Sequence, residues 1–293
     1  MSNTPVTVNM DDVSFQLREP HHFDWLRDLG RVFRVFDQQD SGNLCFGIVG
    51  DGGRRQFVKY AGARTLNYEG DPKDAVDRLK QAVPVYEALE HPNLIELTAH
   101  FEAGSGYAAV FEWFDGEGLH PHWAFPPPAK YNHPDSPFYR YRQLPVGQRL
   151  ASLDNIFSFH VQVESRNYVA IDFYDGSLLY DFQNGITKIC DIDMYHRKPF
   201  TNAMGRMWGS SRFMSTEEFT LGAEIDGRTN VFNMGATAFV LLGGGLDRSF
   251  SGWEASRELY DVAFRAVEDD RDRRYPSVDA FYLAWKKALA KTA

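Results

Sequence analysis

Residues 168–193 read YVAIDFYDGSLLYDFQNGITKICDID, and this stretch limits the fold more than any other. A short apolar run at 178–182 is followed by Gln183-Asn184-Gly185, a tight-turn signal, and then by a returning run at 186–190. Together they specify a β-hairpin. Closing that hairpin brings Asp191 back beside the loop that carries Asp172. Two carboxylates so placed suit phosphoryl transfer, one orienting a hydroxyl and accepting its proton, the other ligating Mg2+. Aspartates are also common in turns for local reasons, so the pair alone fits a solvated hairpin equally well.

The chain has 293 residues, 43% of them hydrophobic, enough for one large domain or a two-lobed one with a substantial core. A net charge of -9 argues against a general nucleic-acid surface, and no nucleic-acid partner is expected. Cys45 and Cys190 are the only cysteines; their strand-like apolar surroundings, without disulfide or zinc spacing, fit a reducing cytoplasm. The opening MSNTPVTVNMDDVSF lacks a basic region followed by an apolar one, and no segment reaches the ~18 apolar residues that cross a bilayer. Neither export nor membrane insertion is expected.

Along the chain, the pattern from Trp25 onward is strand-rich, with strands expected at 32–36, 44–49, 56–60, 95–101 and 108–112. One helix interrupts them at about 73–89, where Ala75, Leu79, Val83 and Tyr86 recur at helical spacing and Pro84 should bend or shorten it. Residues 116–145 are rich in Pro, His and aromatics, and Pro126-Pro127-Pro128 favours an extended run there. That segment reads as a long surface excursion, with His120, His122 and His133 as exposed loop residues and Tyr139 and Tyr141 as a packed lid. Beyond Pro145 helices dominate. Leu150, Leu153, Phe157 and Val161 form one stripe, 231–242 is apolar on nearly every face, and Ser277 can cap a helix that buries Phe281, Trp285 and Leu289.

This order of elements, with several strings in register, resembles the protein kinase superfamily over about residues 25–287. FVKY places Lys59 on the third strand, where the family lysine contacts ATP phosphates. HPNLIEL at 91–97 resembles the link from the regulatory helix to the fourth strand. VFEWFDGEGL at 110–119 resembles the hinge, so that Glu112, Trp113 and Phe114 would lie against adenine. YVAIDFYDGSLLYDF sets Asp172 at the catalytic aspartate, and KICDID sets Asp191 at the metal-binding aspartate. GSSRFMSTEEF at 209–219 resembles the end of an activation segment, with Glu217 as its structural glutamate and Arg274 of DDRDRRYPSVDAF as the ion-pair partner.

Several positions depart from the family pattern. Ala170 and Ile171 replace the His-Arg before the catalytic aspartate, so an activation-loop phosphate lacks its usual partner. Tyr174 replaces a lysine, Ser177 the second metal-binding asparagine, and Asp193 the glycine after the metal aspartate. The glycine-rich cover is reduced to Gly42. Gln81 or Asp77 would have to partner Lys59, and Phe57 stands where a small residue usually lies over adenine.

The resemblance implies an α+β, two-lobed protein kinase-like fold: a small antiparallel-sheet N-lobe with one main helix and a larger, mainly helical C-lobe. The corresponding divisions are an N-terminal extension at 1–24, the N-lobe at 25–112, a hinge with the Pro/His/aromatic-rich insertion at 113–145, and the C-lobe at 146–293. The implied activity is ATP- and Mg2+-dependent phosphoryl transfer to a hydroxyl, with Ser or Thr of a protein as the leading acceptor. Asp172 and Lys59 would be catalytic, with Lys59, Phe57, Gly42 and residues 112–114 around the nucleotide and Asp191, Ser177 and Asp193 around the metal. One alternative is a small-molecule kinase resembling the aminoglycoside and choline kinases, favoured by the missing arginine and by Asp193. The other is a pseudokinase scaffold, favoured by the departures and opposed by retention of Lys59, Asp172 and Asp191.

Overall fold

The computed structural model describes residues 4–291. The fold is α+β, and every named strand pair is antiparallel. It divides into two compact units, the first taking the chain up to Glu90 with Ile95–Asp115, the second His91–Leu94 with the chain from Gly116.

The first unit begins with a hairpin of β1 (Val6–Met10) and β2 (Val13–Leu17). Its five-stranded sheet is built from β3 (Arg31–Phe36), β4 (Asn43–Val49), β5 (Arg55–Ala61), β6 (Leu97–Ala103) and β7 (Gly106–Glu112), in the order β3-β4-β5-β7-β6. Strand alternation sorts the side chains by face. Phe46, Val58 and Val110 sit opposite one another in register and join a core with Phe15, Leu17, Phe23 and Leu26. Residues 1–24 were expected to be an extension, yet this hairpin belongs to the unit's core. Its apolar residues alternate along both strands, Val6, Val8 and Met10 in β1 and Val13, Phe15 and Leu17 in β2, but only the sheet face beneath them reveals what they bury.

The opposite face of the sheet carries the aligned residues Cys45, Lys59 and Ala109, with Gly47, Phe57 and Phe111 in the same register two residues along. Helix α1 (Pro72–Ala88) packs there, its Tyr86 ring 4.9 Å from that of Phe111. Asp71 caps α1 by accepting from the Lys73 N–H at 2.9 Å, and Pro72 occupies the first turn, where no amide donor is needed. Pro84 does not shorten the helix but lies inside it. Its side is exposed to solvent, which can satisfy the carbonyl that loses its partner.

In the second unit β8 (Glu117–Gly118) leads into α2 (Ala129–Asn132), α3 (Pro137–Arg142) and α4 (Val146–Ser165). The short strand β9 (Tyr168–Val169) and the hairpin of β10 (Leu178–Asp181) and β11 (Ile186–Ile189) follow, then β12 (His196–Arg197), β13 (Phe200–Thr201) and β14 (Glu224–Ile225). The chain closes with α5 (Gly227–Leu242), α6 (Arg257–Ala266) and α7 (Val278–Leu289). Helix α5 is buried along almost its whole length and starts at a capping box formed by Asp226 and Thr229. Phe157 of α4 lies 4.9 Å from Phe281 and 5.2 Å from Trp285 of α7, whose N-terminus Ser277 caps. Residues 116–145 are not simply a surface excursion: α2 and α3 bury Lys130, Phe138 and Tyr141, and Tyr141 packs 5.1 Å from Tyr180. Among the described residues no helix is long and apolar enough to cross a membrane.

Candidate functional site

The hairpin turn forms as its residues dictate. Asp181 accepts from the Gln183 and Asn184 N–H groups at 2.8 and 3.0 Å, and Gly185 takes φ 69°, a left-handed conformation that a side chain would strain. The far end of β11 is tied down twice. The Ile189 N–H donates to Asn93 O at 2.6 Å, and the Cys190 N–H to Ser177 O at 2.9 Å. The second bond places the residue before Asp191 directly on the loop that follows Asp172.

That loop is held from below by α5. Asn230 accepts from the Ala170 N–H at 2.8 Å and donates to Tyr168 O at 3.2 Å, while Asn233 donates to Phe173 O at 3.0 Å. The two asparagines clip the chain on either side of Asp172, which adopts φ 62°. Asp191 does the same at φ 53°. A left-handed backbone is uncommon outside glycine, and aspartate is among the residues that tolerate it best.

Tyr195 shows that the two aspartates share one neighbourhood. Its phenol is buried and pairs with His160 Nε2 at 2.8 Å, while His160 Nδ1 meets Ile156 O at 2.8 Å. The carbonyl can only accept, so His160 donates to it from Nδ1 and accepts at Nε2 the hydrogen bond that the Tyr195 hydroxyl donates. Burial pushes the Tyr195 phenol well up, and the charges of Asp172, Cys190 and Asp191 push it further. Burial drives His160 down to about 3, so it is neutral.

Asp172 is half-buried, Asp191 exposed and Asp193 half-buried. The Ser177 hydroxyl oxygen is buried and has no hydrogen-bond partner. Of the three residues expected around a metal, Asp191 and Asp193 keep solvent-accessible surface, whereas Ser177 is fully buried. Among the described residues no three His, Cys, Asp or Glu side chains converge as a metal site. Segment 209–214 passes over Asp172. A Cβ at Gly209 would lie 3.7 Å from Asp172 Cα and 3.3 Å from Met214 Sδ, and its φ of 130° also suits glycine alone. Beyond it, Glu217 and Arg274 form a buried bidentate pair at 2.7 and 3.1 Å, and Thr229 donates to the same carboxylate at 2.8 Å.

In the first unit, Lys59 is 9% exposed on the sheet face that α1 covers. Neither Asp77 nor Gln81 is suited to partner it: both lie on the exposed side of α1, whose buried residues are all uncharged. The Phe57 ring lies 5.8 Å from Phe36 and 6.4 Å from Phe111, so it joins an aromatic row on the Lys59 face. Trp113 packs 4.9 Å from Phe33, and a Cβ at Gly47 would meet both rings within 2.8 Å. Gly42 is not at an open loop tip. A Cβ there would come within 2.9 Å of Tyr68 and Ala75, so its missing side chain serves close packing. The Glu112 N–H donates to Glu96 O at 2.9 Å, and Phe114 is half-buried.

Sequence reasoning missed Asn230 and Asn233. Asparagines within an otherwise apolar helix were the available signal, because a buried amide needs partners. It also missed the burial of Lys130 and the partial burial of His120, which gather with Arg212 around Asp175. No protein-family model matches the chain, and no curated protein matches it significantly.

Proposed function

We propose that the chain is an ATP- and Mg2+-dependent phosphotransferase of two-lobed, protein kinase-like architecture, acting on a hydroxyl, with Ser or Thr of a protein as acceptor. The observation that carries this reading is the pair Asp172 and Asp191. Both have left-handed backbones, both act on the Tyr195 phenol, and their chain segments are joined through Cys190 and Ser177. Asp172, clipped between Asn230 and Asn233, orients the acceptor hydroxyl and takes its proton. Asp191, Asp193 and the unpartnered Ser177 hydroxyl are the residues that would hold Mg2+, and Lys59 would steady the nucleotide phosphates. Mg-ATP, when bound, supplies the transferable phosphoryl group. Segment 209–219, ordered by the buried Glu217–Arg274 pair, favours a protein over a small molecule such as those phosphorylated by the aminoglycoside and choline kinases.

A second reading, a pseudokinase scaffold, draws on the first unit. Phe36, Phe57 and Phe111 crowd the Lys59 face, and α1 buries no acidic residue there. A thermal shift with Mg-ATP and a phosphotransfer assay separate the two. Ligand at a hundredfold its Kd stabilises the folded state by about 2.7 kcal/mol. A shift together with transfer supports the enzyme, a shift without transfer supports the scaffold, and no shift rejects nucleotide binding.

A further inference from the structure

Asp175 lies three residues past Asp172 and is fully buried. Its carboxylate accepts from Lys130 Nζ at 2.6 Å and from both terminal nitrogens of Arg212 at 3.0 and 2.8 Å. His120 Nδ1 stands 3.4 Å from it and also accepts from Lys130. These side chains come from three places: His120 and Lys130 from residues 116–145, Asp175 from the loop after Asp172, and Arg212 from segment 209–214. Burial drives His120 down to about 4, so it adds no charge at neutral pH. Burial works to raise the Asp175 carboxyl, but Lys130 and Arg212 outweigh it and hold the group below its usual range. One carboxylate thus holds two cations.

The bidentate Arg212 bond fixes the segment whose Gly209 approaches Asp172 Cα, and the turn from Ser210 O to the Phe213 N–H at 2.8 Å stiffens the link between them. Ala170 and Ile171 offer no cation to a phosphate on this segment. Here the polarity is reversed: the segment brings the cation and the loop the carboxylate.

We propose that Arg212 is a positioning residue which, through Asp175 and with Lys130 closing the clamp from the insertion, locks segment 209–214 across Asp172, so that the acceptor side stands assembled without phosphorylation. The role assigned to Asp172 comes from the phosphotransferase reading, on which this inference rests. The geometry of the clamp does not.

The test uses the full chain as parent, Arg212→Ala, Arg212→Lys, and the double variant Lys130→Met with Asp175→Asn, which removes the carboxylate without stranding both cations. Amide hydrogen exchange over 209–214 should accelerate by about tenfold or more in Arg212→Ala and in the double variant. With dephosphorylated casein as the acceptor probe, its KM should rise by about tenfold in Arg212→Ala while the KM for ATP stays within about twofold, and Arg212→Lys should recover part of the loss. Phosphatase treatment of the parent should leave its rate unchanged. Unchanged exchange in Arg212→Ala, or loss of parental activity on phosphatase treatment, overturns the proposal. A parent that neither binds Mg-ATP nor transfers phosphate removes the phosphotransferase reading, and the exchange measurement still decides the clamp.

Discussion

At Asp172 the backbone and the carboxylate are under separate control, which makes a clean substitution possible. The left-handed conformation is set by the Asn230 and Asn233 bonds to neighbouring residues, and asparagine tolerates it as aspartate does. Asp172→Asn should therefore keep the melting temperature while lowering phosphoryl transfer by about 10²–10⁴-fold; full turnover in a steady-state assay would remove the assigned role. Phe57 has no such separation. Its half-buried ring packs with Phe36 and Phe111, so Phe57→Ala should cost less than the roughly 3–5 kcal/mol of a fully buried phenylalanine. If the aromatic row crowds the nucleotide, the same variant binds ATP more tightly, measurable by calorimetry. The side of the strand that Phe57 shares with Lys59 was legible from spacing by two. Its aromatic neighbours were not, because Phe36 and Phe111 come from two other strands.

The turn at Thr216–Phe219 joins two glutamates of opposite character. Glu217 is paired with Arg274, and deleting its carboxylate would leave a buried guanidinium, so Glu217→Ala should destabilise the chain by about 3–5 kcal/mol in denaturant unfolding. Glu218 is buried against the Ser215 N–H and hydroxyl at 2.7 and 2.9 Å, and burial raises it from 4.5 to about 7. A carboxyl raised on folding holds a proton that the unfolded chain has released. Its stabilisation is complete below pH 4.5 and is lost as pH rises through 7. Glu218→Gln should flatten that part of a melting-temperature profile, and an unchanged slope would show that Glu218 does not titrate there. The pairing of Glu217 with Arg274 was an expectation of the family resemblance and not of any local pattern, and the second glutamate looks identical in sequence and differs only by what surrounds it.

Across the whole molecule, two histidines withdrawn from solvent contribute to the loss of stability in acid. Burial lowers His160 from 6.5 to about 3 and His120 to about 4. A histidine lowered on folding gives stability that is present above pH 6.5 and lost as pH falls, because the unfolded chain takes up protons the folded one refuses. Melting temperature should fall on acidification from pH 6.5 toward 4, and His160→Gln should reduce that slope; equal slopes would place the effect elsewhere. What the sequence determined by itself was local and periodic: strands β3 to β7 of the first unit, the buried α5, the hairpin with its turn, and the cap at Ser277 all follow from backbone geometry and side-chain spacing within a few residues. Tertiary structure decided everything that joins distant segments. Residues 116–145 looked like an exposed excursion because they lack helical or strand periodicity, yet Lys130 is buried by a carboxylate 45 residues away. The hairpin at 6–17 became core only where a sheet face needed covering. Burial and charge pairing depend on which segments meet, and a linear pattern records which residues can be buried but not which partners will surround them.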